Sequence, residues 1–413
     1  MTGLLASTVR TSVMLALRVV TQAASLVLLA QLLGPESYAN VAALASLALV
    51  MGVLPGLGSG YVVLAGAHDP GHAAEAWRYA WPIAMGLGAV GTVIYCAAAP
   101  VITGSSASLF VVACLGASEL LCTPLVLLCS FILQSRDRVP LSQFAQWLPL
   151  ALRLIGTALA FSVAPPNRLA AFACLQITAS VLGLAANITL VSRYVRLSWK
   201  PRMPSRAELA TGSTYAAMQV VAANPAELDK VLAIHALGAG PAGVYAAGSR
   251  VLTAAVTPAV ALLLSIQPRL FRQAAIGSRA PKYFHIAGLS AACGGVAMVG
   301  MALLSPAVAW MLGPRFDDVR RAIIWLAPVA PFLALRLGAG TVLLATGSAM
   351  QRLTYELLGT VALGVAIAVL APRHGIPGMA VALLFAEAIM AATGWLMVRR
   401  AASSLAPLRR RGP

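Results

Sequence analysis

Ala287–Leu304 is a run of eighteen residues drawn from Ala, Gly, Leu, Val, Met, Ser and Cys, with no charge in it. A helix of that length and character is long enough to cross the hydrocarbon core of a bilayer. Ala16–Leu33 is similar, interrupted by the single charge of Arg18. Such runs recur along all 413 residues, which are 60% apolar and 10% charged. A soluble domain carries about a quarter charged residues. The runs are continuous rather than alternating, which selects helices over a β-barrel. This pattern excludes a soluble enzyme, a disordered chain and a nucleic-acid-binding domain.

Gly, Pro and charge clusters separate the runs. They predict an all-α polytopic membrane protein of about twelve spans. These fall near 10–33, 38–65, 77–102, 107–133, 140–163, 169–192, 207–234, 241–267, 283–312, 321–345, 350–371 and 376–398. No small-residue cleavage site follows a short apolar core at the N-terminus, so span 1 is expected to be retained.

The net charge is +17, from 29 Lys and Arg against 12 Asp and Glu. With the N-terminus inside, nineteen basic residues fall on the cytoplasmic side. The outer side has five: Arg168, Arg315, Arg320, Arg321 and Arg373. The positive-inside rule then fixes the orientation, and an even span count puts both termini in the cytoplasm. The basic excess is mostly a topology label and needs no nucleic acid. The seven tryptophans lie mostly near span ends, as an interfacial belt would. The six cysteines lack CxxC spacing and a neighbouring His cluster, so no metal site, cofactor or catalytic residue is expected.

The stretch Arg193–Arg206, with Trp199, Pro201 and Pro204, lies midway along the chain. It predicts a lobe at 1–195, a basic cytoplasmic linker at 196–206, a second lobe at 207–399 and a basic tail at 400–413. The halves echo each other. Leu33-Gly34-Pro35-Glu36-Ser37-Tyr38-Ala39-Asn40-Val41-Ala42-Ala43 returns 204 residues later, without a gap, as Leu237-Gly238-Ala239-Gly240-Pro241-Ala242-Gly243-Val244-Tyr245-Ala246-Ala247. Six spans preserve orientation, so these are parallel repeats. Transporters rock such lobes around a central site.

Several short motifs occur in a characteristic order. They are Leu32-Leu33-Gly34-Pro35-Glu36-Ser37-Tyr38, then Leu228-Asp229-Lys230, Gly243-Val244-Tyr245-Ala246-Ala247 and Pro268-Arg269-Leu270, then Leu344-Ala345-Thr346-Gly347, and finally His374 through Ala382. On these the chain resembles the polysaccharide-biosynthesis (O-antigen, Wzx-like) flippases of the multidrug/oligosaccharidyl-lipid/polysaccharide exporter superfamily. The resemblance implies two six-helix bundles around a V-shaped cavity in the bacterial inner membrane. It implies transfer of undecaprenyl-diphosphate-linked oligosaccharide between leaflets, alongside other polysaccharide-assembly membrane proteins. The outer loops are short for that family.

Arg18, Arg153, Lys230, Arg250 and Arg336 fall within spans, where a charge is costly and faces a cavity or a partner. Lys230 lies near a span end, within snorkelling reach of water. Arg10, Thr11, Arg18, Thr21, Gln22 and Ser25 share one stripe of span 1, opposite an apolar face. Guanidinium groups match phosphate oxygens in fork geometry. Arg18, Arg153, Arg250 and Arg336, with Gln22, are therefore candidates for a cationic substrate cavity. The competing expectation is pairing with Glu119, Asp229, Glu356 or Glu387. Glu119, Glu356 and Glu387 are also candidates for proton or sodium coupling. Asp229 and Lys230 read as a structural pair. Pro225 and Pro258 are expected to kink spans 7 and 8 as hinges. Gly52, Gly56, Gly58 and Gly60 read as a flexible or closely packed segment of span 2, and Gly338 and Gly340 as leaving room beside Arg336.

A multidrug or cation antiporter of the same superfamily would share the fold, but its cavity should be acidic and aromatic. A glycan polymerase or glycosyltransferase would need a larger outer loop than Gly313–Arg320.

Overall fold

A computed structural model describes residues 2–65, 71–223, 225–275, 283–345 and 349–404. Most of the basic tail, Arg279, Lys282 and the Thr346-Gly347 end of one motif lie outside these residues.

The helices follow the apolar runs. They are α1 (Thr2–Gly52), α2 (Ser59–Ala65), α3 (His72–Thr103), α4 (Leu109–Ala117), α5 (Thr123–Ser135), α6 (Val139–Leu159) and α7 (Arg168–Ser192). After the basic stretch come α8 (Arg206–Ala223), α9 (Pro225–Leu237), α10 (Ala239–Ala275) and α11 (Tyr283–Leu312). The chain continues with α12 (Val319–Leu326), α13 (Val329–Ala345) and α14 (Ala349–Ser404).

Among the described residues, eight helices are long and apolar enough to cross a bilayer, or nine with α12 and α13 counted as one span bent by 47°. Gly34 interrupts α1 and Gly375 interrupts α14, so each of these holds two of the expected spans. The α8–α9 pair lies where the remaining expected span falls. Several spans are less regular than their hydropathy predicts. The second is broken by a turn over Val53–Gly58. The fourth is divided by a π-helical turn over Ser118–Cys122. Residue 224, in the seventh span, lies outside the described residues. The ring of Pro225 itself is outside the described side chains. Helix α10 runs on through Pro258, so that proline does not end it.

Close contacts divide the chain into a first unit, Met1–His235, and a second, Ala236–Pro413. The hydropathy pattern divides the lobes earlier, in the basic stretch. The difference arises because α8 and α9 lie against the first unit. Tyr215 stacks on Tyr61 with ring centroids 5.0 Å apart. Ser46 Oγ donates to Glu227 Oε2 at 2.6 Å. The His235 ring lies 2.6 Å from the carbonyl oxygen of Ile102.

Among the described residues, the first unit gathers apolar cores at opposite ends of α3. One gathers Leu44, Tyr95, Val111, Leu115, Leu120 and Phe172. The other gathers Trp77, Tyr79, Leu128, Ile132, Ala145 and Val191. Tyr95 is fully buried and donates to the Leu44 carbonyl at 2.8 Å, so its hydroxyl is satisfied. Trp77 is also fully buried, so it belongs to a core rather than to an interfacial belt, whereas Trp199, Trp310 and Trp325 are exposed.

The glycines that align across the 204-residue echo both take positive φ, Gly34 at 72° and Gly238 at 78°. The paired Ala42 and Ala43, and Ala246 and Ala247, are all buried. Gly34 has ψ 172°, a region open in practice to glycine alone. We expect Gly34→Ala to lower stability by about 1–3 kcal/mol, read as the midpoint of thermal unfolding in detergent. Gly364 meets no atom a Cβ would touch. Gly364→Ala, in a helix, should leave the midpoint unchanged or raise it.

Candidate functional site

The first unit holds a largely buried ion pair within its helices. The π-helical turn between α4 and α5 carries Glu119, and α6 carries Arg153. A π turn widens the helix by one residue and is common where a side chain must be re-aimed. Arg153 Nη1 lies 2.6 Å from Glu119 Oε1. Its Nη2 donates to Ser118 Oγ at 2.8 Å and its Nε to Ser180 Oγ at 3.0 Å. The second carboxylate oxygen accepts from Thr123 Oγ1 at 2.9 Å. Every nitrogen of the guanidinium and both oxygens of the carboxylate are therefore engaged. A charge withdrawn from water demands that arrangement.

Glu119 also borders a cavity of about 130 Å³ in this unit, together with Gly52, Gly56, Tyr61, Thr123 and Phe131. The span-2 glycines make the close approach. A Cβ on Gly52 would sit 2.9 Å from the Glu119 carbonyl oxygen, and one on Gly60 would strike the Phe131 ring. The reading of this segment as closely packed fits these contacts.

Arg18 differs. Its Nη1 donates to the neutral Gln146 Oε1 at 3.0 Å. Gln146 in turn donates to Ser130 Oγ at 2.7 Å, linking spans 1, 5 and 4. The indole of Trp147 donates to Thr21 Oγ1 at 2.9 Å, one turn along α1. Arg18 is half-buried, and no carboxylate lies within ion-pair distance of it among the described residues. Gln22, on the same stripe, is exposed. The side chains of Arg10 and Thr11 lie outside the described ones.

In the second unit Arg336 is only 3% exposed, and its Nε lies 2.7 Å from Glu387 Oε2. Arg352 Nε lies 2.9 Å from Glu356 Oε1, beside the Tyr355 hydroxyl. Arg352 thus lies in the first turn of its span, at the end the loop count places on the cytoplasmic side. Gly338 and Gly340 leave no open space beside Arg336. Ser290 and Trp395 occupy the first position, and Tyr355 and Arg352 the second. Arg250 is half-buried on α10. Lys230 is fully buried rather than snorkelling, 3.3 Å from Asp229 and 3.4 Å from Glu227.

The structure therefore brings Arg153 to Glu119, Arg336 to Glu387 and Lys230 to Asp229. It leaves Arg18 with an amide partner. Ser118, Ser180, Thr123, Gln146 and Ser130 were not singled out from the sequence. Their signal was a polar side chain inside an apolar run, which becomes specific only once a partner arginine is in place.

Removing one partner of a buried pair strands the other charge, at a cost of about 3–5 kcal/mol. We expect Arg153→Met alone to unfold the protein at markedly lower temperature. The double variant Arg153→Met, Glu119→Leu should recover most of that loss in a thermal-unfolding cycle.

No protein-family model matches the chain, and neither does any curated protein sequence. Solved structures do match. An inward-facing multidrug-resistance MATE family transporter of the MOP superfamily superposes with TM-score 0.80 at 16% identity, over 96% of each chain. A MOP superfamily transporter from Pyrococcus furiosus, described for the reverse polarity of its binding pocket, gives 0.72 at 15% identity, over 97% of this chain and 96% of that one. The lipid II flippase MurJ, in an inward closed conformation, gives 0.69 at 13% identity, over 97% and 90%. These neighbours are transporters and flippases, and the twelve-span, all-helical arrangement fits them. The chain has the fold of MOP superfamily transporters.

Proposed function

We propose that the chain is a flippase for undecaprenyl-diphosphate-linked oligosaccharide. It moves the lipid-linked glycan from the inner to the outer leaflet of the bacterial cytoplasmic membrane, by alternating access of two lobes joined by the 196–206 linker, with both termini inside. The observation that carries this reading is Arg18. A half-buried guanidinium held by an amide keeps its full positive charge and most of its donors for an anion. A diphosphate is the anion that most needs such a partner while crossing a low-dielectric layer. Arg250 is the candidate from the second lobe, and Gln22 a neutral donor beside Arg18. Arg153 and Arg336 support their sites through their glutamates. The lipid II flippase among the structural neighbours is consistent with a lipid-linked cargo.

Ion coupling calls for a carboxylate that can change state. Glu356 is the first to test, because its Oε2 is buried without a hydrogen-bond partner among the described residues. The Glu356 ion pair with Arg352 uses the other oxygen, Oε1, whereas Glu387 Oε2 itself faces Arg336 Nε at 2.7 Å, and Glu119 and Asp229 are also held in ion pairs.

One observation favours a multidrug antiporter instead: the cavity beside Glu119 is lined by Tyr61 and Phe131, an acidic and aromatic combination suited to a cation. Arg153 neutralises that carboxylate, which argues against it.

A charge-assisted hydrogen bond contributes about 1.5–3 kcal/mol. Arg18→Ala should therefore cut export of lipid-linked glycan at least tenfold in cells, with inner-leaflet intermediate accumulating. Arg18→Lys should retain part of it. Normal glycan export by Arg18→Ala, combined with lost drug efflux, would favour the antiporter.

A further inference from the structure

The basic stretch between α7 and α8 is folded, not a slack tether. Arg202 anchors it to the start of α3. The Arg202 backbone N–H donates to the Arg78 carbonyl at 3.1 Å. Its guanidinium lies 2.7 Å from Glu208 and 3.5 Å from Glu75, and 5.1 Å above the Tyr79 ring. The hydrogen bond to Glu208 raises the Arg202 pKa, so the anchor stays charged. Trp199 packs edge-on against both Trp77 and Trp81, with centroids 5.5 Å apart in each case. Arg138, from the α5–α6 turn, sits 5.5 Å from the Tyr194 ring.

This clamp consumes the local carboxylates and leaves a basic surplus on the outside. Arg193, Arg196, Lys200 and Arg206 are all exposed and make no ion pair among the described residues. Interleaved with them are Trp199, 54% exposed, and Met203, 89% exposed. Cations beside half-exposed aromatic and thioether side chains, at the end of membrane helices, match the chemistry of a lipid headgroup layer. The cations face phosphates, and the apolar side chains enter the acyl boundary. An ordinary solvated linker needs neither the Arg202 anchor nor an exposed tryptophan seated on two others.

We propose that residues 193–206 form a preorganised docking surface for anionic phospholipid. Arg193, Arg196, Lys200 and Arg206 take up headgroup phosphate, and Trp199 and Met203 insert at the acyl boundary. The surface goes beyond the transported cargo, since it would serve an antiporter equally well.

The test is native mass spectrometry of the purified full-length protein, given equimolar phosphatidylglycerol and phosphatidylcholine. The wild type should retain phosphatidylglycerol at least tenfold over phosphatidylcholine, and raised salt before the measurement should erode that preference. Replacing Arg193, Arg196, Lys200 and Arg206 by Gln should bring the two lipids to near parity. Thermal unfolding should be unchanged, because these side chains are exposed. Arg315, Arg320 and Arg321 are equally exposed in the second unit. Replacing those three by Gln should leave the preference intact. No preference in the wild type, its persistence in the linker variant, or equal loss in the second-unit variant would each overturn the proposal.

Discussion

The Arg153–Glu119 pair is the interaction on which the first unit depends. It ties the π-helical turn after α4 to α6 and, through Ser180, to α7. Placing two charges there carries a desolvation penalty of several kcal/mol per ion, and attraction alone offsets it only in good geometry. That geometry explains the local departures from regular helix. The π turn re-aims Glu119, Ser118 and Ser180 cap the guanidinium, and Thr123 takes the remaining oxygen. Gly52 has no side chain because the Glu119 backbone comes too near for one.

The second unit uses the same device at different positions. Arg336 is set against Glu387 and Arg352 against Glu356, on α13 and α14. In both units an arginine inside the apolar layer is balanced by a glutamate from another turn or helix. Against that background Arg18 stands out. Its partner Gln146 fixes its position without cancelling its charge. We propose that the difference between a neutralised and an un-neutralised guanidinium separates packing from cargo recognition.

The span pattern, the glycine-marked turns and the 204-residue echo were legible in the sequence because each is local. Gly34 and Gly238 show their purpose in a positive φ, and Ala42, Ala43, Ala246 and Ala247 in burial. The intramembrane charges were visible too, together with both readings of each one. The pairing itself was not, since Glu119 and Arg153 are separated by 34 residues and Arg336 and Glu387 by 51. Helix register alone does not decide which carboxylate meets which arginine. The breaks at Val53–Gly58 and Ser118–Cys122 were equally hidden. Each is a tertiary accommodation inside a segment whose hydropathy is uninterrupted.

The central claim is that Arg18 is reserved for an anionic, lipid-linked cargo while Arg153 is committed to the fold. It is tested most directly by the affinity of the purified protein for undecaprenyl diphosphate. Arg18→Gln should weaken binding at least tenfold, and the double variant Arg153→Met, Glu119→Leu should bind as the wild type does. Equal affinity of wild type and Arg18→Gln would contradict the account, as would loss of binding in the folded double variant alone.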